Sequence, residues 1–479
     1  MASSVQSGVV TSTVGQKKLD QVTELLAKLK LDLKDTNLLP SQRNALLEEL
    51  KVLGRDAANS DPIFTKDGIE ILAQYSFDGT STTTSRAALR CLANALLLEP
   101  KTRQILVDLG YAGKAAEKLK SDNKDDEFLT ARILFLLTYE TNVDFAKLLA
   151  DYQLAESINQ AIARHAKRYS KTGHRISQTY PMDTMALSET LKLMFNITHF
   201  YPDVAESFSK SIPLIFKILV RSKISKPPLQ PPVNYLVNAL INLDLENKSH
   251  FIMNPVFPKF DQKCNAEHLI NILDNAIIFY PEDELDQVAS PVLTLVRRVY
   301  EIAPESVKKY MEWLLLPTDD ERTRPLGKSD TLSARLLRLS TSAMTPNLRV
   351  SISSMFFELS GKDAAKFVHN VGYGFASGFL LSHNIAVPEN AMDAFSTNGT
   401  EAGENTGILV NPITGQRLDA ETPREGPEMT QEEKEREAER LFVLFERLGA
   451  TGVMNVKNPL QQAVEEGRFE ELHDDDDED

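Results

Sequence analysis

One pattern returns along this chain and limits what it can fold into: a stretch with apolar residues at three- and four-residue intervals, marked by one polar residue at a matching place. It reads "ALRCLANALLLEP" around Asn94, "TLKLMFNITHFYP" around Asn196 and "NYLVNALINLDLE" around Asn238. Related stretches without the asparagine surround Thr138, Arg298 and Glu358, and the successive marks lie 44, 58, 42, 60 and 60 residues apart. A helical unit of that length exposes an apolar face that only the next unit can cover, whereas alternating strand-like runs are scarce. The expectation is an all-α, armadillo/HEAT-like right-handed superhelix of stacked helical repeats, followed by a linker and a tethered C-terminal helix. Asparagine inside a helix is unfavourable by propensity. Each of these asparagines either bonds a neighbouring helix end or belongs to an amide ladder that holds the backbone of a bound segment, and both readings stay open.

The boundaries follow from changes in composition. Residues 1–16 read as a disordered N-terminus and 17–381 as the solenoid. Residues 382–428 are rich in Gly, Pro, Thr, Asn and Glu and short of apolar anchors, and they read as a flexible linker containing "NPITG". Periodicity then returns over 429–450, where Thr430 and Glu433 form a capping-box pair and Leu441, Phe442 and Phe445 share one face with Ala438 and Leu448. Such a helix must bury its apolar face on this chain or on a partner. Residues 451–479 form an acidic tail.

Most chemistries are disfavoured. The formal charge is −15, of which the terminal "DDDDED" supplies −6, so general nucleic-acid binding is not expected. Two cysteines, Cys91 and Cys264, are too few for a disulfide framework or a four-ligand zinc site. No uncharged apolar run of about 18 residues could span a bilayer, which points to a cytoplasmic protein without an integral membrane segment. "GKS" at 327–329 imitates the end of a phosphate-binding loop, but Arg322 stands where that loop needs glycine. Gly372, Gly374 and Gly378 imitate a dinucleotide fingerprint, yet they follow a helical stretch instead of a strand and have the wrong spacing. The expectation is a sharp turn at Gly372 and Gly374, with Gly378 allowing the next helix close approach. "KPPLQPP" reads as a stiff connector and "RHAKRYSKTGHR" as a solvated basic loop. No cofactor and no covalent catalysis are expected.

The segments "SDPIFTK", "RILFLLT", "MFNIT", "RTRP", "NVGYGFASGFLLS" and "LVNPITGQ", followed by "EGPEMTQEEKEREAERLFVLFERL", resemble the synembryns in order and approximate spacing over residues 45–460. These are chaperones and guanine nucleotide exchange factors of heterotrimeric G-protein α subunits (Gα). The resemblance implies an armadillo-like superhelix that takes the C-terminal helix of a GDP-bound or nucleotide-free Gα on its concave face. It implies that the tethered helix, with Leu441, Phe442 and Phe445, contacts Gα near its switch region. It also implies a monomer brought to the plasma membrane through Gα. Position by position it points to Lys51 and Arg55, Asn94, Phe135, Phe195 and Asn196, and Arg335 and Arg338. Lys51 stands where animal members are expected to have arginine, so a forked contact is not implied there. The alternative is a general armadillo-type scaffold or transport adaptor without exchange activity; such grooves use repeated tryptophan and asparagine ladders, and this chain has one tryptophan, Trp313.

Overall fold

The computed structural model describes residues 4–79, 81–169, 181–246, 250–387, 395–396 and 409–421, together with Thr430, Lys434, Arg436, Arg440 and Val443. The chain divides into two compact units, Met1–Asp419 and Ala420–Asp479.

Among the described residues of the first unit, seven helices form one row in chain order. They are α1 (Pro40–Leu53), α2 (Thr82–Leu98), α3 (Lys124–Leu137), α4 (Pro181–Phe200), α5 (Val233–Ile241), α6 (Glu282–Ile302) and α7 (Pro346–Leu359). Each packs against the next. All six polar marks of the sequence repeat fall on α2 to α7, with Thr138 as the C-cap of α3. Other helices lie between the row members in sequence, and a continuous apolar cluster runs from Val22 to Leu380. Local chemistry sets several helix starts: Asn123 accepts from the amides of Asp125 and Asp126 ahead of α3, and Asp125, Asp126 and Glu127 place acid at its positive end.

Polar side chains tie each row helix to the one before it. The Asn196 amide donates to Thr138 Oγ1 at 2.7 Å, and Asn242 Nδ2 donates to the Phe195 carbonyl at 3.2 Å. Arg298 donates to the carbonyls of Leu240 and Ile241, groups left without intrahelical partners at the end of α5. Arg86 forks onto Asp126 at 2.8 and 3.1 Å, joining α2 to α3, and Arg297 forks onto Glu358, joining α6 to α7. Asn238 is half-buried and none of these bonds is its own; Asn242, four residues on, does what the repeat pattern suggests for it.

Three features differ from the sequence expectation. The helix Ser4–Asp35 runs through residues 4–16, read above as disordered. No proline interrupts this stretch, and extending an existing helix costs far less than starting one. The second difference lies in residues 409–419, part of the expected flexible linker, which pack on the solenoid as a strap. Val410 is fully buried, and Leu409–Val410 pairs with Phe395–Ser396. The "NPITG" residues form a closed turn: Asn411 Oδ1 accepts from the amides of Ile413 and Thr414, and Gly415 adopts φ +66°. The outward carbonyls of Pro412 and Ile413 accept from the amides of Tyr373 (2.8 Å) and Gly374 (3.1 Å), the first residues of α9 (Tyr373–Ser382), which follows α8 (Ala364–Val371). The linker composition hid this because turn residues and backbone hydrogen bonds, instead of an apolar run, hold the strap.

The glycine cluster is the third. Gly372 is at φ +82°, and a Cβ there would lie 3.0 Å from the Ile413 carbonyl oxygen, so its turn and its closeness to the strap both require glycine. The helix N-terminus that suggested a phosphate site is filled by backbone carbonyls. Gly378 has no neighbouring atom within 4 Å of where a Cβ would be, so it is not a close-packing glycine.

In the second unit, Lys434, Arg436, Arg440 and Val443 are helical, and the Lys434 amide donates to the Thr430 carbonyl at 3.0 Å. Leu441, Phe442 and Phe445 lie outside the described residues.

Candidate functional site

Residues four apart lie one turn above each other on a helix face. Two such pairs line one cavity of about 370 Å³, Arg90 and Asn94 on α2 and Phe128 and Arg132 on α3, together with Lys51 in the last turn of α1 and Arg55 just beyond its end. Ala93 and Leu129 complete its wall. Thus Lys51, Arg55 and Asn94, singled out separately in the sequence, come together. Arg90 and Arg132 were missed, although Arg90 stands one turn before Asn94 and Arg132 one turn before Phe135.

The cations differ in how far they are neutralised. Lys51 pairs with Glu48; Arg90 lies 3.2 Å from Asp125 and 4.0 Å from Glu48; Arg132 lies 3.3 Å from Glu189. Lys192 on α4 shares Glu189 at 2.7 Å. Arg55 is exposed and, among the described residues, is in no ion pair. Five cations therefore face three carboxylates, none of which lines the cavity, and this face is locally positive in an acidic chain. Asn94 is half-buried, and no partner inside the described residues holds its amide.

The same face continues as an aromatic strip. Phe135 and Phe195 are half-buried on the row surface and not within the core. Lys192 Nζ lies 4.7 Å from the Phe135 ring centre and 5.7 Å from that of Tyr235. Tyr139 meets Phe135 edge-on at 5.3 Å, and His199 stacks on Phe195 at 5.8 Å. An elongated ligand with anionic and apolar groups on one side fits such a face.

The other expected residues lie elsewhere or are already engaged. Asn196 is 5% exposed and gives its amide to Thr138, so it serves the stack. Arg335 and Arg338 are on the Leu332–Leu339 helix, which packs against α7 at the far end of the row. Arg335 pairs with Asp274 and donates to the Asp330 carbonyl, and Arg338 donates to the carbonyls of Gly327 and Ser329 at 2.7 Å each, so Arg338 organises the "GKS" loop. Part of the described basic stretch is engaged within the chain: Arg164 reaches Asp122 and Glu127, and His165 Nε2 lies 2.8 Å from Glu127.

Nucleophilic chemistry finds little support at this face. The Cys91 thiol, on α2, is buried against the Leu47 carbonyl, and burial pushes its pKa up to about 12. Among the described residues no group of three His, Cys, Asp or Glu is arranged to hold a metal ion, and no helix is long and apolar enough to cross a membrane.

Against known families, Ric8, described as guanine nucleotide exchange factor synembryn, matches residues 46–468. The chain belongs to the synembryn family. A synembryn-like chaperone of Schizosaccharomyces pombe is 29% identical over 301 residues, covering 59% of this chain and 55% of that protein. Chaperone Ric-8A of Macaca fascicularis is 24% identical over 90% of this chain and 85% of its own length, and that of Xenopus laevis is 25% identical over 88% and 84%. The cation-lined face and the strap both lie inside the matched region of this synembryn.

Proposed function

We propose that this synembryn is a guanine nucleotide exchange factor and folding chaperone for Gα subunits, and that its α1–α4 face grips the Gα C-terminal helix. The observation that carries the reading is the convergence of Lys51, Arg55, Arg90, Asn94 and Arg132 on one open cavity beside an aromatic strip. A terminal carboxylate and the negative end of a helix dipole suit the cations, the uncommitted Asn94 amide suits ligand backbone, and Phe135 and Phe195 suit its apolar side. The tethered helix with Leu441, Phe442 and Phe445 supplies a second contact.

Exchange then needs no bond to be made or broken. Gripping the C-terminal helix withdraws support from the loop that holds guanine, so the bound form of Gα retains nucleotide poorly; GDP leaves and GTP binding reverses the preference. Only the difference in affinity for the two Gα states can drive this. The same grip stabilises a nucleotide-poor Gα by mass action, which is chaperoning. The test is GDP release from purified Gα, intact or lacking its last helical turns. Acceleration is expected only with intact Gα, and Arg55→Ala and Asn94→Ala should each weaken binding by about 1 to 3 kcal/mol. Equal binding of truncated Gα, or unchanged binding by both variants, refutes the assignment.

A further inference from the structure

Glu189 on α4 is 5% exposed, and its Oε1 accepts from two cations of the α1–α4 face, Lys192 Nζ at 2.7 Å and Arg132 Nη1 at 3.3 Å. Among the described residues no other donor reaches this carboxylate, and its Oε2 is buried as well. Each cation also lies against an aromatic ring. The Arg132 guanidinium is 5.9 Å from the centre of the Phe128 ring in the cavity wall, and Lys192 Nζ is 4.7 Å from that of Phe135 and 5.7 Å from that of Tyr235 on the strip. Among the described residues no other carboxylate pairs with either cation. One buried oxygen therefore joins the cavity to the strip. Burying a carboxylate is costly, and tying two helices together is the plainest reason to keep one. Here α3 and α4 are already joined by Thr190 Oγ1, which donates to Glu127 at 3.0 Å, and by Asn196, which donates to Thr138 at 2.7 Å. What Glu189 adds is order in two long cationic side chains that would otherwise repel each other and sample solvent.

We infer that Glu189 is a positioning residue for the gripping face: its carboxylate holds Arg132 at the cavity and Lys192 on the strip, and so sets the spacing between the anionic and apolar contacts offered to the Gα helix. This rests on the proposed function above. The sign of the effect separates position from charge. Removing a negative group beside a site for an anion should, by charge alone, speed association and tighten binding. Loss of position works the other way: the ligand must itself order two freed side chains, and the loss appears in the dissociation rate.

The test uses the full chain carrying Glu189→Gln, which keeps the side chain's shape and removes its charge. Without Gα, the reaction of Arg132 with phenylglyoxal and of Lys192 with an acylating ester, followed by mass spectrometry, should speed several-fold; unchanged rates overturn the inference. With Gα, the dissociation rate should rise about fivefold or more while the association rate does not fall. The same change is then made in a chain carrying Arg132→Gln and Lys192→Gln, whose amides can still donate to the carboxylate but carry no charge; there it should leave dissociation unaltered. A rise of equal size in both chains marks a structural role only, and tighter binding marks an effect of charge only; either result overturns positioning. If the natural chain does not bind Gα while both side chains gain reactivity, the proposed function fails and the positioning of a ligand fails with it, whereas the hold on the two cations stands.

Discussion

Asn94 and Asn196 occupy matching places in the repeat, yet their surroundings predict opposite outcomes for the same change. Asn196→Ala removes a 5% exposed amide that donates to Thr138 Oγ1 at 2.7 Å. Thr138 Oγ1 keeps its own donation to the Phe135 carbonyl at 2.6 Å, so no buried donor is stranded. The loss is one net hydrogen bond and a small void, about 1 to 2 kcal/mol between α3 and α4. Asn94→Ala has no such bond to lose, and alanine is the better helix former, so its effect on stability should lie within about 0.5 kcal/mol. Long repeat arrays need not unfold in one step, so local opening is the proper measure. Hydrogen exchange of the last-turn amides of α3 should speed roughly five- to thirtyfold in Asn196→Ala and hardly change in Asn94→Ala. Gα binding should show the reverse, with a loss of about fivefold or more for Asn94→Ala only. Equal acceleration of exchange in both variants, or a binding loss confined to Asn196→Ala, would refute the division of these amides into stack and site.

Other outcomes follow from particular contacts. Burial alone would raise the Glu127 carboxyl's pKa, but His165, Thr190 and Arg164 outweigh it and hold it below the ordinary 4.5. Because the folded value is lowered, its stabilisation is complete above about pH 4.5 and is lost as pH falls through the folded value. Glu127→Gln should therefore reduce melting temperature at neutral pH and flatten its decline below pH 4.5; an unchanged slope refutes this. Gα binding should weaken between 0.05 and 0.3 M salt, less steeply once Arg55 or Arg132 is alanine, since at 0.15 M exposed charges are screened from one another beyond about 8 Å and the distance shrinks with added salt; identical salt slopes in a titration would exclude those residues. Gly68→Ala places a Cβ 2.3 Å from the Pro62 carbonyl oxygen and should cost about 1 to 3 kcal/mol in urea unfolding, whereas an unaltered midpoint would contradict the packing there.

The row of helices was legible because covering apolar faces imposes a period, and all six marks fall on the elements that stack. Which polar mark bonds inward was not legible: Asn94 and Asn196 look alike until the partner helix puts Thr138 beside one and open space beside the other. Lys51, Arg55 and Asn94 could be carried over from a resemblance, but Arg90 and Arg132 required knowing that α2 and α3 turn the same side outward. The pairing of Arg335 was not legible because Asp274, some 60 residues away in sequence, gave no local sign of it. The strap was hidden for a different reason, since turn-forming residues look alike whether they float or close a backbone network.

Arg322 has a consequence for how the molecule is made. Row helices find their predecessors already synthesised, so the stack can grow as it leaves the ribosome. The Arg322 guanidinium, 5% exposed and donating to the carbonyls of His369, Asn370 and Gly415, must instead wait for Gly415, 93 positions later. At ordinary elongation rates the 45 positions from Asn370 to Gly415 take roughly 2 to 9 s, during which a nascent chain carries a buried cation one acceptor short and the start of α9 uncapped. Until the strap is translated, the last repeats are the unfinished end of the molecule, the place where quality-control factors would find exposed polar backbone.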